Sequence, residues 1–165
     1  MERVLKISME AELRNQSLAR SLAAAYAAEF DPTVEELTEI KTAVSEAFSN
    51  AVLHAYPEEN RAAATVEMEF AAAPGAVIII KIKDSGVGIE DIARAMEPLF
   101  TTDTGNERSG MGFTVMESFM DKIRVDSKPG KGTTVTMIKK LDMFDMTDMS
   151  DKTDMPDLAD TYYGI

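Results

Sequence analysis

The chain has no cysteine. A disulfide framework is therefore absent, which argues against secretion. It also lacks any apolar stretch near the ~18 residues that a membrane helix needs, and no early apolar segment follows positive charge as in a secretory signal. The expectation is a soluble, cytoplasmic protein with no membrane contact. Basic residues are scarce too: 17 Lys and Arg face 29 Asp and Glu, a net charge of -12. Nucleic-acid binding relies on clustered lysine and arginine that displace counterions, so direct nucleic-acid contact is disfavoured and a basic protein partner suits the charge better. Neither a Gly-x-x-x-x-Gly-Lys-Ser/Thr loop nor a Gly-x-Gly-x-x-Gly dinucleotide loop occurs.

At 165 residues the chain fits one domain, able to bury most of its unfolded surface without a metal staple. The charge is uneven. Residues 141–165 hold seven aspartates and one lysine, net -6, which leaves -6 for residues 1–140. Aspartate recurs at 142, 145, 148, 151, 154, 157 and 160, with methionine at 143, 146, 149 and 155. A three-residue repeat does not hold one face of a 3.6-residue helix, and large apolar groups are few. The expected organisation is a folded domain over 1–140 and a disordered acidic tail over 141–165, with a docked tail as the alternative. A cation site in that tail lacks a suitable ligand loop.

Within the domain, Arg3–Met9 alternates like a short strand, and Glu10–Phe30 reads as a helix that Asp31-Pro32 ends. Thr33 with Glu36 forms a capping-box pattern for a second helix reaching about Tyr56. Ala64–Phe70 alternates as a strand with one wet face, Ala71–Gly75 is a turn, and the continuous apolar run in Val77–Lys83 marks a strand buried on both faces. A loop and short helix over Gly88–Met96, a polar segment over Glu97–Gly110, a helix over Gly112–Asp121 and strands over Lys122–Ser127 and Thr133–Lys140 complete the pattern. The expected fold class is α+β, a two-layer sandwich with helices on one face of a mixed, mostly antiparallel sheet.

Three separated pieces carry the chemistry. On the second helix Leu37, Ile40, Val44, Phe48, Ala51 and Ala55 form the core stripe, while Glu39, Glu46, Asn50 and His54 gather elsewhere. Glu46, Asn50 and His54 follow at i, i+4 and i+8, so one helix edge offers a base, a neutral oxygen ligand and an imidazole. On this helix alone, solvated polar residues are the simpler reading. Asp84-Ser85-Gly86-Val87-Gly88-Ile89 follows the central strand directly, and a carboxylate with two glycines there suits a purine amino group and ring. Ser109-Gly110-Met111-Gly112 precedes a helix whose first amides favour phosphate oxygens. Together they point to one ATP site, in which Asn50 suits Mg²⁺ and Glu46 suits proton acceptance. Arg108 is the phosphate-suited side chain of a lid over Phe100–Arg108, and His54, the only histidine, reads as a packing or hydrogen-bonding residue.

Glu46-Ala47-Phe48-Ser49-Asn50-Ala51, Asp84-Ser85-Gly86-Val87-Gly88-Ile89 and Gly110-Met111-Gly112 resemble, in order, the N, G1 and G2 boxes of the GHKL ATPase/kinase superfamily. Asp31-Pro32-Thr33, Glu36–Thr42, Pro98-Leu99-Phe100-Thr101-Thr102 and Glu107–Thr114 are similar to the anti-sigma factor kinases of spore-forming bacteria. That resemblance covers about residues 1–140. It implies the Bergerat-type ATP-binding fold and a homodimeric serine kinase. Such a kinase captures a sporulation sigma factor of the sigma F type and phosphorylates a serine of an anti-anti-sigma protein. It further implies Glu46 as catalytic base and Asn50 as the Mg²⁺ ligand. Asp84, Gly86, Gly88, Thr101, Thr102, Arg108, Gly110, Met111, Gly112 and Thr133 join Asn50 in holding ATP, and Arg20 contacts a partner. Two departures stand out: His54-Ala55-Tyr56 replaces the usual His-Gly-Tyr, and the aspartate-methionine tail falls outside the pattern. A histidine-kinase catalytic domain shares the boxes, but no dimerisation helix with a target histidine is recognised. A general-stress anti-sigma B kinase and a nucleotide-dependent sigma-binding protein without kinase activity are the nearer alternatives.

Overall fold

The computed structural model describes residues 4–57, 63–97 and 110–142. Strands β1 (Leu5–Glu10), β2 (Thr65–Ala73), β3 (Val77–Lys83), β4 (Lys122–Lys128) and β5 (Gly132–Lys140) form one sheet in the order β1-β2-β3-β5-β4. Helices α1 (Gln16–Ala27), α2 (Val34–His54) and α4 (Gly112–Phe119) pack together, and α3 (Ile92–Ala95) is a single turn. Every neighbouring strand pair is antiparallel. The expectation of a mixed sheet fails for one reason. The helical crossover does make β3 and β4 parallel to each other, but β5 inserts between them.

Ile40, Val44, Phe48 and Val52 of α2 are fully buried against Val66, Met68, Phe70, Ile78, Ile80 and Met137 of the sheet. Each such side chain contributes about 1.5–3 kcal/mol, so α2 is pinned along its length and its polar edge has a fixed orientation. The expected helix over Glu10–Phe30 starts later than the sequence implies. Glu10 still pairs with Thr65, Ala11 N donates to Ala64 O (2.9 Å), and Leu13–Asn15 forms a tight turn before α1. Its far end closes at Asp31, in the left-handed region with φ 53°, a conformation aspartate tolerates better than most residues. The turn expected over Ala71–Gly75 shrinks to Pro74-Gly75-Ala76, because Ala71, Ala72 and Ala73 continue the ladder opposite Ile79, Ile78 and Val77. Cross-strand pairing overrides the weak strand preference of alanine.

The capping box forms as expected and does more than cap. Glu36 Oε2 accepts from Thr33 N (2.7 Å), Thr33 Oγ1 accepts from Glu36 N (3.1 Å), and Glu36 Oε1 accepts from Asp142 N (2.7 Å). One buried carboxylate thus closes the start of α2 and holds the chain just beyond β5. Burial pushes this carboxyl up, but the amides of Asp142 and Thr33 and the Thr33 hydroxyl outweigh it and leave it below its ordinary value. A depressed carboxyl stabilises the fold above its unfolded value and loses that contribution as pH falls through the folded value. Glu36→Gln is therefore expected to cost about 1–3 kcal/mol at neutral pH. Urea unfolding followed by circular dichroism should show the two proteins converging in acid.

Candidate functional site

A cleft of about 870 Å³ opens between α2, the Asp84–Ile89 loop, α3, the start of α4 and the β4–β5 hairpin. That volume falls within the range of small-ligand sites. Glu46, Asn50 and His54 line it from one edge of α2, as their spacing predicts. Glu39 departs from that group: its Oε2 accepts from Lys139 Nζ (2.6 Å), which also donates to Phe119 O (3.0 Å). This joins α2 to β5 and the end of α4 instead of serving the cleft.

The three glycine-bearing pieces converge on the cleft through close approaches. A methyl group built on Gly112 would stand 3.2 Å from Glu46 Oε2, 3.1 Å from Asn50 Nδ2 and 3.4 Å from Asn50 Oδ1. The base, the amide and the start of α4 therefore meet at one point. Gly110 has φ 63°, and Met111, exposed at the head of α4, supplies no side-chain cap to the amides that follow. Amides at such a helix start suit an anion.

Asp84 is buried, with Oδ1 accepting from Gly86 N (2.9 Å) and Thr133 N (3.2 Å). Desolvation raises its carboxyl above the ordinary value, against the opposing pull of those amides. Gly86 and Gly88 allow backbone contacts no side chain permits: an added Cβ would lie 2.0 Å from Ala55 O and 2.2 Å from Lys128 O, respectively. Val87 N donates to Ala55 O (2.8 Å) and Gly130 N to Val87 O (2.7 Å), so the loop is strapped between α2 and the hairpin. Ala55 has φ -78° and ψ -32°, an ordinary helical conformation. Its extra methyl is tolerated because Gly86 has none.

Thr133 lines the cleft, supports Asp84 through its amide and shares a hydrogen bond with Ser127 Oγ (2.9 Å). Arg20 is exposed and lies outside the cleft, in a smaller groove with Thr38, Lys41, Thr42, Ser45 and Glu46. Glu46 is common to both. Thr101, Thr102 and Arg108 fall outside the described residues. Sequence reasoning missed Gln16, whose Nε2 donates to Ser45 Oγ (2.8 Å) beside Glu46. It missed Asp91, which caps α3, and Arg94 within α3, both of which line the cleft. It also gave no task to Tyr56, whose hydroxyl accepts from Ser85 N and donates to Thr65 O (both 2.9 Å). Only Tyr56 left a signal, as the aromatic closing the second helix.

Gly86→Ala and Gly112→Ala should separate. The first forces backbone from backbone and is expected to cost about 1–3 kcal/mol or more by overpacking; the second meets only side-chain tips and should leave thermal unfolding nearly unchanged while disturbing Glu46 and Asn50. Calorimetric melting and nucleotide titration of both variants check this.

Residues 9–139 match the family model of the histidine kinase-like ATPase domain. The chain is 48% identical over 136 residues to the anti-sigma F factor of Thermoanaerobacter sp. strain X514, covering 82% of this chain and 92% of that protein. With the anti-sigma F factor of Bacillus subtilis it shares 45% over 143 residues, 86% of this chain and 94% of the relative. Among solved structures, it superposes on the RsbU and RsbW domains of a Mycobacterium tuberculosis protein with a TM-score of 0.58 and 19% identity, spanning 84% of this chain but about a third (32%) of that one. A histidine kinase domain from Erythrobacter litoralis gives 0.52 at 22% identity, over 76% of this chain and 60% of the other. These distant likenesses concern the fold. The cleft geometry, the matched domain and the near-full-length relatives together place the chain in the anti-sigma F factor family, built on a histidine kinase-like ATPase domain.

Proposed function

We propose that the chain is an anti-sigma factor that binds Mg-ATP in the main cleft, captures a sigma factor of the sigma F type and phosphorylates a serine of its anti-anti-sigma antagonist. The observation that carries this reading is the meeting of Glu46, Asn50 and Gly112 at the head of α4. Asp84 Oδ1 is already engaged, so Oδ2 serves the purine amino group. The α4 amides face phosphate. Among the described residues no three His, Asp or Glu side chains gather to hold a metal, but the amide oxygen of Asn50 suits Mg²⁺, which takes hard oxygen donors and completes its shell with phosphates and water. When bound, that ion would offset charge on the transferring phosphoryl group. Glu46 takes the proton of the serine hydroxyl as its oxygen forms a bond to the γ-phosphorus and the bond to the β,γ-bridging oxygen breaks, releasing ADP.

Arg20 and Lys41, in the groove on the other side of Glu46, suit the approach of an acidic surface on the protein partner. A homodimer is part of the same reading, on the pattern of the family. Among the described residues no helix is long and apolar enough to cross a membrane.

Glu46→Gln is expected to bind nucleotide normally yet lose ~10²–10⁴-fold in phosphotransfer, the range for general-base removal. Mass spectrometry of the anti-anti-sigma protein after incubation with Mg-ATP reads this directly, and unchanged transfer would remove Glu46 from the mechanism. Capture of sigma F but not sigma B type factors by the ATP-loaded protein decides the partner class. Because an amino donor favours the ionised form of Asp84, ATP lowers its raised carboxyl value. Binding should therefore weaken as pH falls through that value, and Asp84→Asn should abolish this pH dependence in calorimetric titrations.

A further inference from the structure

Lys139 of β5 lies beneath the helices. It follows the core residue Met137 at the two-residue period of a strand and pairs with the fully buried Ile78, so its side chain points to the helix-packed face of the sheet. That side chain is only 13% exposed, and that of Glu39 is 22% exposed. A charge withdrawn so far from water is costly unless it is paired and hydrogen-bonded. Lys139 Nζ makes two such bonds, donating to Glu39 Oε2 of α2 (2.6 Å) and to the carbonyl of Phe119, the last residue of α4 (3.0 Å). The final carbonyls of a helix lack partners of their own and carry partial negative charge. One ammonium therefore closes the foot of α4 and grips α2 at the same time.

Both ends of α4 meet α2 at matched points. The head, Gly112, stands against Glu46 and Asn50, and the foot reaches Glu39 through Lys139. The step from Gly112 to Phe119 equals the step from Glu46 back to Glu39, about 10 Å along a helix axis. The two helices thus run antiparallel with these ends in register. Among the described residues little else sets that register. Within α4 only Met116 is fully buried, and the unbranched side chain of methionine adapts to small shifts. Asp121 N donates to Ile138 O (2.9 Å) and Lys140 N to Asp121 Oδ2 (2.7 Å), but these bonds follow the extended Met120 and fasten the entry to β4, not the helix.

We propose that Lys139 is a positioning residue, which sets the register of α4 on α2 by tying Phe119 O to Glu39 and so holds the α4 head against Glu46 and Asn50 for the phosphates. This rests on the ATP reading of the main cleft. A slip of one residue would carry the head about 1.5 Å along the axis, and a misplacement near 1 Å can cost ~10²-fold in a reaction that depends on alignment. The purine end is independent of this tie, because the Asp84–Ile89 loop is strapped to Ala55 and to the β4–β5 hairpin.

Removing the lysine alone would leave Glu39 without its partner and endanger the fold. The test therefore uses Glu39→Gln/Lys139→Met, which removes both charges, beside Glu39→Gln, which keeps an acceptor for Lys139 and its bond to Phe119 O. The chain has no cysteine, so Glu35→Cys on α2 and Glu117→Cys on α4, both at exposed positions, accept nitroxide labels whose separation reports the register with no nucleotide present. Double electron–electron resonance should show that separation broadened or shifted by about 1.5 Å or more, the rise of one residue, in the double variant and unchanged in Glu39→Gln. In the unlabelled full chain, the double variant should bind ATP at least ~10-fold more weakly with adenosine affinity held within about 2-fold, and Glu39→Gln should match the parent for both. An unchanged separation in the double variant would overturn the proposal. Equal losses for ATP and adenosine would overturn it in favour of a merely structural role. A parent protein that binds no ATP would sink the cleft reading instead, and the label separation would then decide the register alone.

Discussion

The site depends on backbone lying against backbone where α2 ends. Ala55 O accepts from Val87 N, and an added Cβ on Gly86 would stand 2.0 Å from that oxygen. The same loop is held from the opposite side by the β4–β5 hairpin, where Gly132 with φ 84° would bring a Cβ within 2.1 Å of Asp84 O. Such contacts hold the Asp84 carboxylate at a set distance from the helix that carries Glu46 and Asn50. Packing of α2 on the sheet then fixes the rest, because its apolar stripe cannot rotate without exposing Phe48 and Val44.

Asp84 illustrates how the fold tunes a group it has buried. Two amides on Oδ1 only partly offset the loss of water. The carboxyl consequently stays above its ordinary value. Glu36 shows the opposite balance. It is also buried, but enough donors surround it to lower its carboxyl, and its role is structural.

Much of this was legible in the residues. The core stripe and polar edge of α2 follow from helical periodicity, the Thr33–Glu36 box from its spacing, and β3 from its apolar run. The late start of α1 was not legible, because Glu10 and Ala11 are claimed by pairing with a strand more than 50 residues away. For the same reason the alanines after Phe70 looked like a turn. Gln16, Asp91 and Arg94 reached the cleft unannounced. A lone polar residue on a helix carries no mark of what the tertiary fold sets against it.

Glu46 lines the main cleft and the Arg20 groove at once. One carboxylate thus borders two compartments, and in the proposed phosphotransfer a hydroxyl presented from one would meet a phosphorus held in the other. Whatever fills either compartment would change the water around that one oxygen pair, with no change needed in the backbone between them.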